Sequence, residues 1–101
     1  MADPATAPEI LSVAVYEPLP GREQDSLETM GLLLKTLSAS GFSRDFLYKD
    51  GPQYVLLRYW KSEKARREAY EDPEVQRCWA KLGNEIRIVK VFEVLEKVEL
   101  S

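Results

Sequence analysis

A charged side chain lies inside an otherwise apolar run of this sequence. Leu56, Arg58 and Trp60 occupy alternate positions, so their side chains share one face if the segment is a strand. A guanidinium on such a face needs a partner, because an unpaired charge is costly to bury. Two explanations are about equal: an ion pair with Glu93 or Glu96 on a later strand, or a role in binding an acidic ligand.

The two tryptophans and the lone cysteine carry less specific signals. Trp79 lies at helical spacing with Val75 and Leu82, which is typical of a side chain packed in a core. Cys78 lies beside the same stripe, and buried cysteines usually behave as small apolar side chains. For Trp60, closing the space between sheet and helix is the commoner role, and lining a pocket is the alternative.

The composition excludes several kinds of chemistry. The chain has 101 residues with no histidine and one cysteine, so carboxylates are the remaining metal ligands, and their spacing matches no metal-binding loop. The sequence has neither a serine–histidine arrangement nor a glycine-rich phosphate loop. We therefore expect no metal site.

Charge and hydropathy restrict the partners in a similar way. The net charge is -3, and 14 basic residues are scattered among 17 acidic ones, so no basic stripe favours nucleic acid. No segment approaches the roughly 18 apolar residues of a membrane span. A single cysteine excludes an internal disulfide and fits a reducing compartment. We expect a cytoplasmic protein that binds neither nucleic acid nor membranes.

The apolar pattern switches between alternation, which predicts strands, and three-four spacing, which predicts helices. The predicted elements are a strand over 10–19, a helix over 22–40, strands over 42–49 and 53–61, a helix capped by Ser62 and interrupted at Asp72-Pro73, and a strand over 86–97. This order predicts an α+β fold of the ferredoxin-like βαββαβ type, an antiparallel sheet with two helices on one face.

We expect a single domain over residues 10–101, since a chain of this length has room for only one. Residues 1–9 are small and proline-rich, and they lack the basic residues and the apolar run of a secretory signal. They are predicted to form a flexible amino-terminal tail.

The predicted sheet is apolar on both faces. In the first strand Leu11, Val13 and Val15 lie opposite Ser12, Ala14 and Tyr16, and in the last Val89, Val91 and Leu95 lie opposite Ile88, Phe92 and Val94. Two helices cover only one face, so the other would expose a contiguous apolar patch. We therefore expect a homodimer that packs sheet against sheet about a twofold axis.

Several short motifs, taken in order, resemble one known family. They are Pro20-Gly21 after the first strand, Tyr59-Trp60-Lys61-Ser62 with Ala65, and Asp72-Pro73 before a hydrophobic position. Each is common alone, but in this order and on this topology they resemble the antibiotic biosynthesis monooxygenase-like family. The resemblance covers about residues 10–98 and implies a dimeric α+β barrel.

The heme-degrading branch of that family uses an asparagine on the first strand, a tryptophan at the end of the third and a histidine on the second helix. Trp60 matches the tryptophan, but the other two positions fall near Ala14 and Trp79. Tyrosine and cysteine are alternative heme ligands, but Cys78 belongs to the apolar stripe of a helix. Heme degradation by the family mechanism is not expected.

The cofactor-independent branch oxidises electron-rich phenols in a pocket between helices and sheet, with tryptophan, asparagine and arginine side chains. Trp60 matches the tryptophan, and Arg58 on the same face would stabilise a phenolate or semiquinone oxygen. These two residues are the candidate catalytic groups. The resemblance also implies a pocket that includes Tyr16, Tyr54 and Trp79, with the tyrosines as hydrogen-bond donors, and no cofactor.

Two functions remain open. The first is a cofactor-independent monooxygenase-like protein that acts on or binds a small aromatic or quinol-type molecule. The alternative is a non-catalytic dimeric ligand-binding or interaction module of the same fold, with Trp60 and Trp79 filling the core. A cavity reached by Arg58 or a tyrosine hydroxyl favours the first, and a solid interior favours the second. The only asparagine, Asn84, follows the second helix and has no expected place in the pocket.

Overall fold

The computed structural model describes residues 10–100 and shows four strands and three helices. The elements are β1 (Ile10–Pro18), α1 (Glu23–Ala39), β2 (Ser43–Asp50), β3 (Gln53–Trp60), α2 (Glu63–Glu71), α3 (Pro73–Leu82) and β4 (Ile86–Leu95). The strands form one antiparallel sheet in the order β2-β3-β1-β4, which confirms the predicted ferredoxin-like α+β arrangement. Residues 1–9, for which a flexible tail is predicted, lie outside the described residues.

The hairpin between β2 and β3 sets the register of the half of the sheet that carries Arg58. Asp50 pairs with Gln53 across a two-residue loop, and Gly51 has a φ of 59°. That left-handed conformation is open to glycine at little cost, which explains the Asp-Gly pair at the turn. Every later pair in the ladder follows from this loop length.

Asp72 divides the second helical segment in two, as its sequence predicts. The Asp72 carboxylate accepts hydrogen bonds from the backbone N–H groups of Glu74 at 2.9 Å and Val75 at 3.1 Å, and Pro73 begins α3. Ser62 caps α2 in the same manner, through the N–H of Ala65 at 3.0 Å. Helices α2 and α3 thus stand in place of one longer helix. Within residues 10–100, no helix has the length and apolar character needed to cross a membrane.

The core lies between the helices and one face of the sheet, here called the inner face. Alternate residues of β3 are buried there: Tyr54, Leu56, Arg58 and Trp60. The helices contribute the opposing layer, with Met30, Leu33, Leu37, Val75, Cys78 and Leu82. The apolar stripes predicted for both helical segments therefore face the sheet.

Strand β4 departs from simple alternation. Two register shifts interrupt its ladder with β1, one between Val15 and Tyr16 and one between Leu11 and Val13. Ile88 pairs with Tyr16 on the inner face, whereas Phe92 pairs with Val13 on the other side of the sheet. The prediction that Ile88 and Phe92 share a face is therefore wrong, because an irregularity of the bulge type moves the later side chains to the opposite face.

The other face of the sheet, here called the outer face, is apolar across its full width. One row of paired residues crosses all four strands: Phe46, Leu57, Val13 and Phe92. Phe46, Tyr48, Phe92 and Leu95 are exposed on this side. The helices pack on the inner face only, so this apolar surface is uncovered within residues 10–100.

Candidate functional site

Trp60 closes one end of the inner face. It is the last residue of β3, and only 2% of its surface is exposed. Its indole Nε1–H donates to the Ser12 hydroxyl at 2.9 Å, and that hydroxyl donates to the backbone carbonyl of Glu93. The indole is thereby fixed to β1 and, through Ser12, to β4. Its one hydrogen-bond donor is used within the protein, so its role towards a ligand is that of an aromatic wall.

Arg58 has a different partner from the two that the sequence suggests. Its Nε donates to Oδ2 of Asp45 at 2.6 Å, and the side chains of the pair are 10% and 2% exposed. The expectation of an ion pair with Glu93 or Glu96 is wrong, because Asp45 pairs directly with Arg58 across the β2–β3 ladder. The other oxygen of Asp45 accepts from the Ser43 hydroxyl at 2.7 Å.

The Arg58 guanidinium also has a hydrogen-bond donor that the protein does not use. Nη2 is buried and has no hydrogen-bond partner in residues 10–100. The guanidinium carbon lies 5.4 Å from the centre of the Trp60 ring, within the range of a cation–π contact. A buried donor without a partner costs about 1–3 kcal/mol, so an acceptor placed beside Nη2 would be bound favourably.

Two adjoining cavities lie between the inner face and the helices. The first, the Trp60 cavity, has a volume of about 260 Å³, and its walls include Ser12, Arg58, Trp60, Tyr70, Trp79 and Glu93. The second, the Tyr16 cavity, has a volume of about 320 Å³, and its walls include Tyr16, Met30, Leu33, Leu82 and Ile88. Both cavities are bounded by Ala14, Leu56, Arg58 and Trp79. Their sizes are near the lower end of the range for small-molecule sites.

The floor shared by the two cavities owes its depth to a small side chain. Ala14 pairs with Leu56 on one side and Val91 on the other, in a row that crosses the middle of the inner face. The methyl group of Ala14 leaves space that a larger residue on this row would fill. The site thus has an apolar floor, with polar groups on the neighbouring rows.

Aromatic side chains from α2 and α3 form the wall opposite the sheet. The Tyr70 ring lies 6.4 Å from the Trp60 ring and 4.9 Å from the Trp79 ring, measured between centroids. Trp79, for which the sequence suggests core packing or a pocket wall, borders both cavities, while its neighbour Cys78 is buried in the core. Burial raises the pKa of the Cys78 thiol, which keeps it protonated and unreactive.

The two tyrosines expected in the pocket take different roles. Their rings stack with centroids 5.5 Å apart, but Tyr54 is not among the residues that line either cavity, and its hydroxyl donates to Glu23 at 3.1 Å. Tyr16 lines the second cavity, and its buried hydroxyl has no hydrogen-bond partner in the described chain. Burial, with a smaller contribution from Tyr54, raises the pKa of Tyr16 to about 12. Tyr16 is therefore a hydrogen-bond donor at neutral pH and not a base.

Three features of the site were not found from the sequence. These are the residues Asp45, Ser12 and Tyr70. Only for Asp45 does the sequence contain a pattern that predicts its place in the site. A two-residue loop at Gly51-Pro52 pairs Asp45 with Arg58 by counting alone. The asparagine left out of the predicted pocket, Asn84, is exposed and donates to the carbonyl of Ala80 at 3.4 Å.

Metal binding has no geometric basis in this part of the chain. Among residues 10–100, no group of three or more cysteine, aspartate or glutamate side chains is arranged to hold an ion. Of the acidic groups at the site, Asp45 is bound to Arg58 and Ser43, and Glu93, in the wall of the Trp60 cavity, lies 4.0 Å from Arg66. What the site offers a ligand is an apolar floor, an aromatic wall and two unsatisfied donors.

The arrangement of sheet, helices and cavity belongs to the ferredoxin-like α+β class. No family model matches the chain, and no characterised relative matches its sequence. Solved structures do match. A putative antibiotic biosynthesis monooxygenase from Chloroflexus aurantiacus superposes with a TM-score of 0.73 at 11% identity, over 92% of this chain and 97% of that one.

Two further matches extend the likeness. SnoaB, a cofactor-independent oxygenase from Streptomyces nogalater, gives a TM-score of 0.73 at 18% identity, over 91% of this chain and 98% of that one. Rv0793 from Mycobacterium tuberculosis gives 0.71 at 17% identity, over 90% and 99%. At these identities the likeness establishes the fold, which is that of the antibiotic biosynthesis monooxygenase-like proteins. The resemblance predicted from the sequence motifs is confirmed at this level.

Proposed function

We propose that this protein is a cofactor-independent, monooxygenase-like protein that acts on a small aromatic molecule of the quinol type. The observation that carries the proposal is the pair of cavities bounded by Arg58 and aromatic side chains. An apolar floor with a few converging polar groups is the usual form of a small-molecule site. The match to the oxygenase SnoaB supports the reaction class, as does the position of Trp60 in the cavity wall.

The reaction needs no electron source other than the substrate. When a phenol becomes a quinone, a ring C–H para to the hydroxyl is replaced by a carbonyl, one atom of dioxygen is retained and the other leaves as water. The four electrons that reduce dioxygen come from the ring. The proposed contribution of Arg58 is to stabilise the phenolate that transfers those electrons, through its unpartnered Nη2.

A second candidate is a ligand-binding or interaction module without turnover, and one observation favours it. The Trp60 indole N–H is bound to Ser12, so the tryptophan has no donor left for a reacting oxygen. In this candidate the cavity holds a ligand while Trp60 and Trp79 serve as packing. The two candidates share the binding site and differ in whether oxygen is consumed.

The test uses 1,5-dihydroxynaphthalene, which monooxygenation converts to 5-hydroxy-1,4-naphthoquinone and water. Oxygen uptake and quinone absorbance are measured in the dark for the wild type and for Ala14→Leu, which fills the cavity floor. The control, Ala80→Leu, adds the same volume at an exposed position of α3, outside both cavities. Turnover that only Ala14→Leu abolishes supports the enzyme. Saturable binding without oxygen uptake supports the module, and the absence of binding contradicts both.

We also propose that two copies associate through the outer face. The row Phe46, Leu57, Val13 and Phe92 forms a continuous apolar surface, and apolar surfaces of this extent are usually covered. Pairing by a twofold axis would close the two sheets into the dimeric α+β barrel expected from the sequence.

We propose a cytoplasmic location as well. The free, buried thiol of Cys78 supports it, because thiols stay reduced in that compartment.

A further inference from the structure

The inner face carries two buried donors that are not satisfied within the described residues, one in each half of the joined cavities. Arg58 Nη2 and the Tyr16 hydroxyl both lack a hydrogen-bond partner in residues 10–100. The two side chains are about nine-tenths buried or more: Arg58 is 10% exposed and Tyr16 1%. Folded proteins leave few such groups, and each one calls for an explanation. A ligand that meets both donors provides one.

The ladder fixes how the two donors are arranged. Arg58 pairs with Ser12, and Tyr16 lies four residues further along β1, so their rows are separated by about 13 Å of strand. Between them runs the apolar row that contains Leu56 and Ala14. A ligand lying on Ala14 would therefore have one donor at each end and carbon against its middle.

A comparison with the neighbouring Tyr54 argues against a purely structural role for the Tyr16 hydroxyl. Its stacking partner Tyr54 has the same side chain but donates to Glu23, which satisfies that hydroxyl within the fold. The Tyr16 hydroxyl has no equivalent partner, although it lies in a cavity wall. A phenol is protonated at neutral pH, and burial raises the pKa of this one further, so its hydroxyl is available as a donor.

We propose that Tyr16 is a specificity-determining residue that binds one oxygen of the ligand while Arg58 binds another, so that the site selects fused-ring aromatic molecules with oxygen acceptors at opposite ends. This inference rests on the proposed function, since it assumes that an aromatic molecule occupies the cavities. It adds a second recognition point, remote from Trp60, and it excludes single-oxygen aromatics as preferred ligands.

The experiment compares two matched probes under anaerobic conditions, 1,5-dihydroxynaphthalene and 1-naphthol, which lacks the second oxygen. Binding is followed by quenching of tryptophan fluorescence, because Trp60 and Trp79 line the cavity. We expect the wild type to bind the two-oxygen probe about three- to tenfold more tightly, the contribution of one hydrogen bond. Tyr16→Phe should remove this preference and leave the affinity for 1-naphthol unchanged within about twofold.

Two controls keep the outcome interpretable. Tyr16→Phe should not lower the melting temperature of the free protein, because the lost hydroxyl has no partner in the fold. Tyr54→Phe removes a hydroxyl bonded to Glu23, so it should lower the melting temperature and leave the probe preference intact. A Tyr16→Phe variant that keeps the preference, or that melts earlier than the wild type, would overturn the inference.

The same binding measurements distinguish a failure of this inference from a failure of the proposed function. A wild type that binds both probes equally contradicts the role of Tyr16 while leaving an aromatic-binding site in place. A wild type that binds neither probe contradicts the proposed function, and the inference is then rejected with it.

Discussion

Arg58 and Asp45 form an ion pair across the β2–β3 ladder, with Nε and Oδ2 separated by 2.6 Å and both side chains largely removed from water. Arg58 lies in the wall of the cavities, and Asp45 pairs with it from the neighbouring strand. Asp45 neutralises the guanidinium and orients it, which leaves Nη2 on the unpaired side.

Removing one member of this pair should be more damaging than removing both. Asp45→Asn leaves a buried guanidinium without its counter-charge, and we expect the free energy of unfolding to fall by about 3 kcal/mol. The double change Asp45→Asn with Arg58→Leu should recover a large part of that loss. Urea denaturation of the two single variants and the double variant measures the coupling between the residues.

The matched control for this cycle is an exposed pair on α2. Lys64 and Glu68 lie 3.8 Å apart, and their side chains are 81% and 51% exposed. Lys64→Leu should therefore change the free energy of unfolding by no more than about 1 kcal/mol. If the losses from Asp45→Asn and Arg58→Leu simply add, the pair is not coupled and this account of it is incorrect.

The outer face gives a prediction about assembly. We expect a dimer at micromolar concentration, and Phe92→Glu should convert it to a monomer by placing a charge in the apolar row. Leu32→Glu is the control, because Leu32 is an exposed leucine on α1, away from that face. Sedimentation velocity on the three proteins provides the measurement. A monomeric wild type would contradict the prediction directly.

Titration with hemin tests the expectation that this protein does not degrade heme. With Ala14 and Trp79 in the cavity walls and no histidine in the chain, we expect no ligated heme spectrum and no bilin product. Absorbance titration with hemin, with free imidazole as a reference for the ligated state, is the measurement. A Soret shift that saturates at one heme per subunit would show that another side chain ligates the iron.

The stability of the protein at alkaline pH should depend on the ionisation of Tyr16. Its pKa is raised from 10.0 to about 12 in the folded protein, so the folded state holds this proton more tightly than the unfolded chain does. The resulting stability is fully present below pH 10 and is lost as the pH rises from 10 through 12. Between these limits the wild type should lose roughly 2 kcal/mol more stability than Tyr16→Phe. Urea denaturation at several pH values compares the two, and parallel curves would argue against the shift.

The elements of this fold were predictable because local signals agree with the packing. The Ser62 cap, the Asp72-Pro73 break and the glycine turn each act over a few residues, so the sequence alone defines them. The alternation in β1 and β3 also identified which side chains face the helices. Arg58, Trp60 and Tyr16 were placed on the inner face by this rule alone.

The remaining features depend on long-range geometry. Simple alternation failed in β4, because the register shifts arise from its pairing with β1 and leave no local signal. The hydroxyl of Tyr54 is satisfied by Glu23, a residue distant in sequence on α1. No periodic pattern distinguishes Tyr54 from Tyr16, although only one of them faces a cavity.

The shifts in β4 have a consequence for how sites on this scaffold diverge. A substitution in β4 alters one wall residue, whereas a residue inserted or deleted between Ile88 and Lys90, or between Phe92 and Leu95, would exchange inward and outward side chains over the rest of that strand. The cavity lining could then be replaced as a block while β1, β2 and β3 stay unchanged. Length variation in the last strand, more than point substitution, is therefore where we expect related chains to differ in ligand preference.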